Sequence, residues 1–303
     1  MQKSSPKKRL GVLLLLKFNF RKLAAAAFVA VAIFFQSCQT VKKGQVVEPI
    51  DLLNPDASLY VYVPVKAHSG FVKHTIRAIT GAGDADAEKI VKRTDSLFIA
   101  NSAVSGAEIS AKGDFPSSLM KFALTEKKGW KQQSYDNFAY YEHTPSRLQF
   151  ALPTSDLVCL SYKAESMLDR YKSKLFAEDL DSVSVVAPEI NDFLTAGNSD
   201  EIRFYSRVDG SLFQNFLDGS SLSIKYITGK LVALPDTEMF DLTLVLELSD
   251  VRTIKAACAM LRLALLGSPA KIVQSADTKI TVTGLTLSWN DILKMFSGYG
   301  VER

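Results

Sequence analysis

The side chains able to do chemistry in this 303-residue chain are few and scattered. There are three histidines, His68, His74 and His143. His68 and His74 stand six positions apart, which puts them on different faces of any helix. No HExxH, CxxC or paired His/Cys spacing occurs, so the sequence offers no zinc site. The histidines read as exposed residues near helix starts. Asp84, Asp86 and Glu88 alternate along "GDADAE" and carry the charge a calcium ion would need. They lack the length and closing glutamate of an EF-hand loop and read as a solvated helix entry. No G-x-S-x-G elbow presents a serine. The Gly-x-Gly of "ITGAGDADAE" follows a helix and lacks a third glycine. Gly229-Lys230 has no P-loop before it, so Thr228-Gly229 reads as a turn or bulge. No catalytic residue, cofactor-binding residue or metal ligand is assigned, and no cofactor is expected.

One cysteine stands apart from this scatter. The stretch "KLAAAAFVAVAIFFQSCQTVKKG" is apolar from Leu23 to Phe35, reaches Cys38 and then turns polar. Seven basic side chains and no acidic one precede it. A basic region, an apolar run and small residues at a cleavage point form the layout of an exported leader. The run is 13 residues long, short of the roughly 20 that a spanning helix needs. The four residues Phe35-Gln36-Ser37-Cys38 resemble the lipobox of a bacterial lipoprotein. Ser37 fits the position before the cysteine, while Gln36 fits poorly and Phe35 replaces the usual leucine, a departure that resembles the relaxed lipoboxes of spirochaetal lipoproteins. That resemblance implies lipidation of Cys38, with the membrane as the partner that holds it. It also implies a place in the cell envelope, facing the periplasm or the exterior. Burial of each methylene contributes about 0.8 kcal/mol, so several acyl chains make a firm anchor.

The leader distorts the charge of the whole chain. The sequence carries 36 basic and 32 acidic side chains. Removal of the seven leader residues leaves 29 against 32, a mature charge of −3. No basic patch with interleaved aromatics stands out, so no nucleic-acid partner is expected. Cys159 in "DLVCLSY" and Cys258 in "IKAACAMLRLALL" both have apolar neighbours and read as free core thiols.

The mature chain runs twice through one order of elements. The first pass has a strand "LYVYVPV", a helix from Ser69, a short helical piece at "DAEKIVKRT", and strands from Asp95 and Gly106. A helix from Ser117 to Gly129, two further strands and a helix "AESMLDRYKSKL" complete it. The second pass opens with "EIRFYSRV" and a helix "GSLFQNFLDG". In "FDLTLVLELS", Leu242, Leu244, Leu246 and Leu248 face one way while Asp241, Thr243 and Glu247 face the other, as in a half-buried strand. A helix follows from Asp250 to Gly267, then a strand with a bulge at Gly284 and a last helix capped by Ser288 and Asp291. Each pass reads β-α-β-β-α-β. The predicted fold is therefore α+β: two ferredoxin-like repeats, antiparallel sheets, and helices on one face. The expected segments are a signal peptide 1–37 and a lipidated cysteine and tether 38–56. A first module 57–176, a connector 177–200 and a second module 201–303 follow. The stretch from "EISAKGDF" to "FAYYEH" is loosely similar to exported bacterial proteins of unassigned function.

The helix from Val251 to Leu266 is the least ordinary segment. Arg252, Lys255 and Arg262 form a narrow polar stripe on an otherwise apolar surface. Such a helix is buried on most sides, or it faces a partner or a membrane. The leading expectation is a non-enzymatic, lipid-anchored envelope protein with a binding or scaffolding role, its partner an envelope protein or lipid. The alternative is a lipid-handling protein that holds acyl chains between the sheet and this helix. An enzyme of unknown type ranks third.

Overall fold

A computed structural model describes residues 46–80, 83–118, 124–176, 186–196, 200–207 and 224–292, with backbone only at 79–80. The helix expected at "GSLFQNFLDG" lies outside these residues, as do positions 119–123 of the helix expected from Ser117 to Gly129; the end of that segment is a turn of 3-10 helix, Glu126–Lys128. Twelve strands are β1 (Leu59–Pro64), β2 (Thr94–Ser102), β3 (Gly106–Gly113), β4 (Trp130–Tyr135), β5 (Phe138–His143) and β6 (Gln149–Thr154). They continue with β7 (Leu157–Ser161), β8 (Glu201–Arg207), β9 (Ile224–Ala233), β10 (Met239–Leu248), β11 (Lys271–Gln274) and β12 (Lys279–Ser288). The helices are α1 (Ser69–Thr80), α2 (Asp84–Arg93), α3 (Ala164–Phe176), α4 (Pro188–Thr195) and α5 (Ile254–Ala264). All twelve strands form one sheet, in the order β11-β12-β10-β9-β8-β1-β2-β3-β7-β6-β5-β4. The two passes join where β1 pairs with β8, Leu59 opposite Ser206.

The ferredoxin-like topology does not hold. Such a unit keeps its first two strands parallel and inserts the third between them, whereas here β1 pairs directly and antiparallel with β2, and β10 with β12. The reason lies in the connections. A single helix would carry the chain from the end of β1 to the far end of the sheet, ready for a parallel strand. Here α1 runs out and α2 runs back, so β2 starts at the end where β1 stopped. Lys73 and Arg77 of α1 clamp the two helices together by pairing with Asp84 of α2, and Lys73 also reaches Glu88. In the second pass α5 runs out and the short strand β11 runs back, so β12 lies antiparallel to β10.

The helices also cover both faces rather than one. Two apolar clusters lie on opposite sides of the sheet. One holds Leu59, Val61 and Val63 of β1, Phe71 and Val72 of α1, the leucines of β10, and Ile254, Ala257, Cys258 and Leu261 of α5. The other holds Tyr60 of β1, Phe98 of β2, Met167 and Leu168 of α3, and Ile190 and Leu194 of α4. β1 is buried on both faces, and its sequence "LYVYVP" shows why: both parities are apolar or aromatic, as in a strand with a core on each side. β10, by contrast, alternates buried and half-buried along its whole length.

Two glycines differ in what they do. Gly284, with φ +79°, lies in the expected bulge, where the β10–β12 register slips between Leu242 and Leu244. Gly229 is neither a turn nor a bulge. It sits in mid-strand opposite Phe204, and a Cβ there would lie 2.1 Å from the Phe204 ring. The missing side chain is the space that the phenylalanine fills.

Candidate functional site

Helix α5 owes its position to the strand before it. Leu242, Leu244, Leu246 and Leu248 present one apolar face, and Asp250 ends the strand by accepting a hydrogen bond from Arg252 N at 2.9 Å. A turn of 3-10 helix (Val251–Thr253) then leads into α5. Ile254, Ala257, Cys258 and Leu261 are 1–6% exposed and close the contact with the sheet. The outward face is apolar as well. Leu263 is 72% exposed, Leu266 83%, Val251 50% and Met260 39%. Ala256, Ala259 and Ala264 are exposed among them. Lys255 and Arg262 border this surface, both exposed. Arg252 grips Asp250 at 2.8 Å and holds that carboxyl below its ordinary range, chiefly by hydrogen bonding. The helix is thus apolar nearly all round, with a basic seam along one side.

A second constructed feature is the stretch 48–58, which leads into β1. Ile50, Leu52, Leu53 and Ala57 are buried in the cluster of α3 and α4. Polar side chains of the sheet and α3 secure its backbone. Ser110 Oγ donates to Pro49 O at 2.6 Å, and Arg170 Nε donates to Leu52 O at 2.7 Å. Glu108, fully buried, accepts from Asn54 N and from Arg170 Nη2, both at 2.7 Å. Its other oxygen, Oε1, has no hydrogen-bond partner among the described residues.

With the sheet and its outward-facing helix described, comparison with known proteins identifies the family. A family model, "Outer membrane-associated lipoprotein TP0453", matches residues 44–293. The chain belongs to that family. A relative in Treponema pallidum (strain Nichols), "Outer membrane protein TP0453", is 21% identical over 230 residues, 75% of this chain and 78% of its own. Two solved structures share the fold. Crystal form I of TP0453 matches with a TM-score of 0.66 at 18% identity, over 84% of this chain and 99% of that one. Form III matches with a TM-score of 0.61 at 18% identity and the same shares. Membership makes this chain an outer membrane-associated lipoprotein of the cell envelope, of the spirochaetal kind that the lipobox resembled.

The residues singled out in the sequence scatter across the TP0453-family fold. Cys38 lies outside the described residues and before the start of the family match. His68, expected at the surface, is 5% exposed. Its Nε2 donates to Asp200 O at 2.9 Å, and burial pushes its pKa below the ordinary value. His74 lies against Trp289. His143 Nδ1 meets Ser146 Oγ at 2.8 Å in an exposed hairpin turn. Asp84, Asp86 and Glu88 are engaged by Lys73, Arg77, Lys89 and Lys92. The two thiols are free and buried, in clusters on opposite faces of the sheet. The sequence reading passed over Glu108 and Arg170. A glutamate between Ala107 and Ile109 in a strand whose register placed it inward was the available signal.

Proposed function

We propose that this lipoprotein is non-enzymatic, is anchored by acyl chains on Cys38, and acts by binding, with the outward face of α5 lying on membrane lipid. The supporting observation is the exposure of Leu263, Leu266, Met260 and Val251 along α5 and the turns at its two ends, with Lys255 and Arg262 exposed beside them. An exposed apolar patch of this extent marks a partner or a membrane. Long basic side chains at its border can lay their stems along the apolar surface and keep their charges among headgroups. α5 is far too short to span, and no described helix is long and apolar enough to do so, so the contact is interfacial. The alternative, acyl chains held between α5 and the sheet, gains no support from a contact that Ile254, Ala257, Cys258 and Leu261 already close.

Vesicle flotation tests this reading. The mature chain, made without its acyl chains, should float with phospholipid vesicles. Leu263→Glu/Leu266→Glu should abolish flotation while leaving the circular dichroism spectrum unchanged. Equal flotation of the double variant would remove α5 from the function. For the anchor, Cys38→Ala should block incorporation of labelled palmitate during expression in a bacterial host.

A further inference from the structure

We infer that the open edge of β4 is a docking edge for an extended, acid-bearing segment of another protein. The twelve-stranded sheet has two ends, and they are treated differently. β11 is only four residues long, and a very short edge strand is one way proteins blunt pairing. β4 has six residues, "WKQQSY", without proline or glycine. Its partner strand settles which of its backbone groups face outward. Tyr135 and Phe138 close a two-residue hairpin, which makes them a hydrogen-bonded pair. Thr144 N donates to Gly129 O at 2.8 Å, so the bonded positions on this strand are odd-numbered. The N–H and C=O of Gln132 and Ser134 therefore point away from β5. Trp130 N, also outward, is taken by Thr125 O at 3.1 Å. Among the described residues no strand lies beyond β4, which leaves Gln132 and Ser134 as two rungs ready for a third chain.

Charge selects the occupant. Lys127, Lys128 and Lys131 cluster at the start of this edge, all exposed, with Glu126 the one acid among them. Nearby, Arg147 pairs with Glu142 and Lys172 with Asp136. The three edge lysines form no such pair with a described carboxylate. A strand added here gains main-chain bonds from Gln132 and Ser134, and its carboxylates meet the lysines. This is the β-augmentation mode of peptide recognition, in which main-chain bonds supply affinity and side chains specificity. Lysines on an edge can also serve only to repel other strands. The two roles differ in their response to an acidic chain.

The test uses the full mature chain and two capped peptides, Glu-Val-Glu-Val-Glu-Val and Lys-Val-Lys-Val-Lys-Val. Trp130 fluorescence reads binding, and hydrogen exchange reads protection of the Gln132 and Ser134 amides. The acidic peptide should bind and protect both amides, and the basic one should bind at least about tenfold more weakly. Gln132→Pro removes an outward N–H without touching the β4–β5 ladder and should abolish binding. Lys127→Glu/Lys128→Glu leaves the edge intact and should weaken the acidic peptide by about tenfold, more so at low salt. The inference falls if neither peptide binds, if both bind alike, or if the folded Gln132→Pro or the lysine reversal binds like wild type. It also falls if sedimentation shows a dimer that Gln132→Pro dissociates, since the edge would then belong to a second copy of the chain.

Discussion

Gly229 and Phe204 show how much a single residue carries that its type does not announce. In the sequence, Thr228-Gly229-Lys230 looks like punctuation. In the fold the glycine is a socket in the middle of β9, and the phenylalanine of β8 fills it. Gly229→Ala should destabilise the protein by about 1–3 kcal/mol, the range for overpacking a filled core, as read by urea denaturation. Substitution at Gly83, where an added Cβ meets nothing within 4 Å, should be far milder. Cys159 makes the opposite point, because its neighbours did announce it. Burial pushes its thiol up to about 12 from an ordinary value near 9. The folded state therefore favours the neutral thiol. Stability from this group is complete below the ordinary value and is lost as pH rises from there towards about 12. Alkylation of Cys159 at pH 8 should await unfolding, and Cys159→Ala should flatten the alkaline fall in stability. Rapid labelling of the native protein, or the same alkaline slope in the variant, would contradict both. His68 and Glu108 were misread or missed for a shared physical reason. Their burial depends on which distant segment covers them, Asp200 in one case and the 48–58 stretch in the other.

At the scale of elements, periodicity was the reliable guide. The alternation of "FDLTLVLELS" gives the burial of β10 residue by residue. Leu244→Ala or Leu246→Ala should each cost about 2–5 kcal/mol, as lost transfer energy plus a cavity. Thr243→Ala on the other face should cost about 0.5 kcal/mol or less. Equal losses in urea melts would mean that β10 is covered on both sides. Glu247, on the same face as Thr243, is a poorer control than its sequence position suggests. It accepts a 2.6 Å hydrogen bond from Thr278 Oγ1 and lies 3.4 Å from Lys279. The caps were legible too. Ser288 Oγ accepts from Asp291 N at 3.2 Å while Asp291 takes the Ser288 N–H at 3.1 Å, the reciprocal arrangement expected there. β11 was not legible, since "KIVQ" is too short and too polar at its ends to stand out. Its omission mattered, because β11 is the return leg that makes β12 antiparallel to β10. The outward apolarity of α5 was half legible: the narrow basic stripe showed in the sequence, but which apolar residues the sheet would cover did not.

At the scale of the molecule, a list of elements does not determine how two passes combine. Their order was read only in part, since the two strands expected after Gly129 are the two hairpins β4–β5 and β6–β7 and β11 was missed, and pairing partners are set by contacts remote in sequence. From Val47 onward the chain forms one compact unit, and β1 carries a core on each face. The two tryptophans sit far apart in the strand order, Trp130 on β4 and Trp289 just after β12. Trp130→Phe and Trp289→Phe thus make variants that each report one half. Their urea transitions should share one midpoint, because loss of either cluster strips a face of β1 and weakens the other half with it. Separated midpoints would show that the halves unfold independently.

The rung between β1 and β8 has a consequence for how the protein is made. Most pairings join neighbours in the sequence, such as β4 with β5 or β9 with β10. Hairpins of that kind close in microseconds. Leu59, however, must wait for Ser206, a contact whose loop-closure entropy has to be met before it returns anything. An exported chain emerges from its amino terminus, so β1 reaches the envelope long before its partner. Until β8 arrives, β1 is itself an exposed edge with apolar side chains on both faces. That interval is when the nascent protein most needs a chaperone and most risks aggregation.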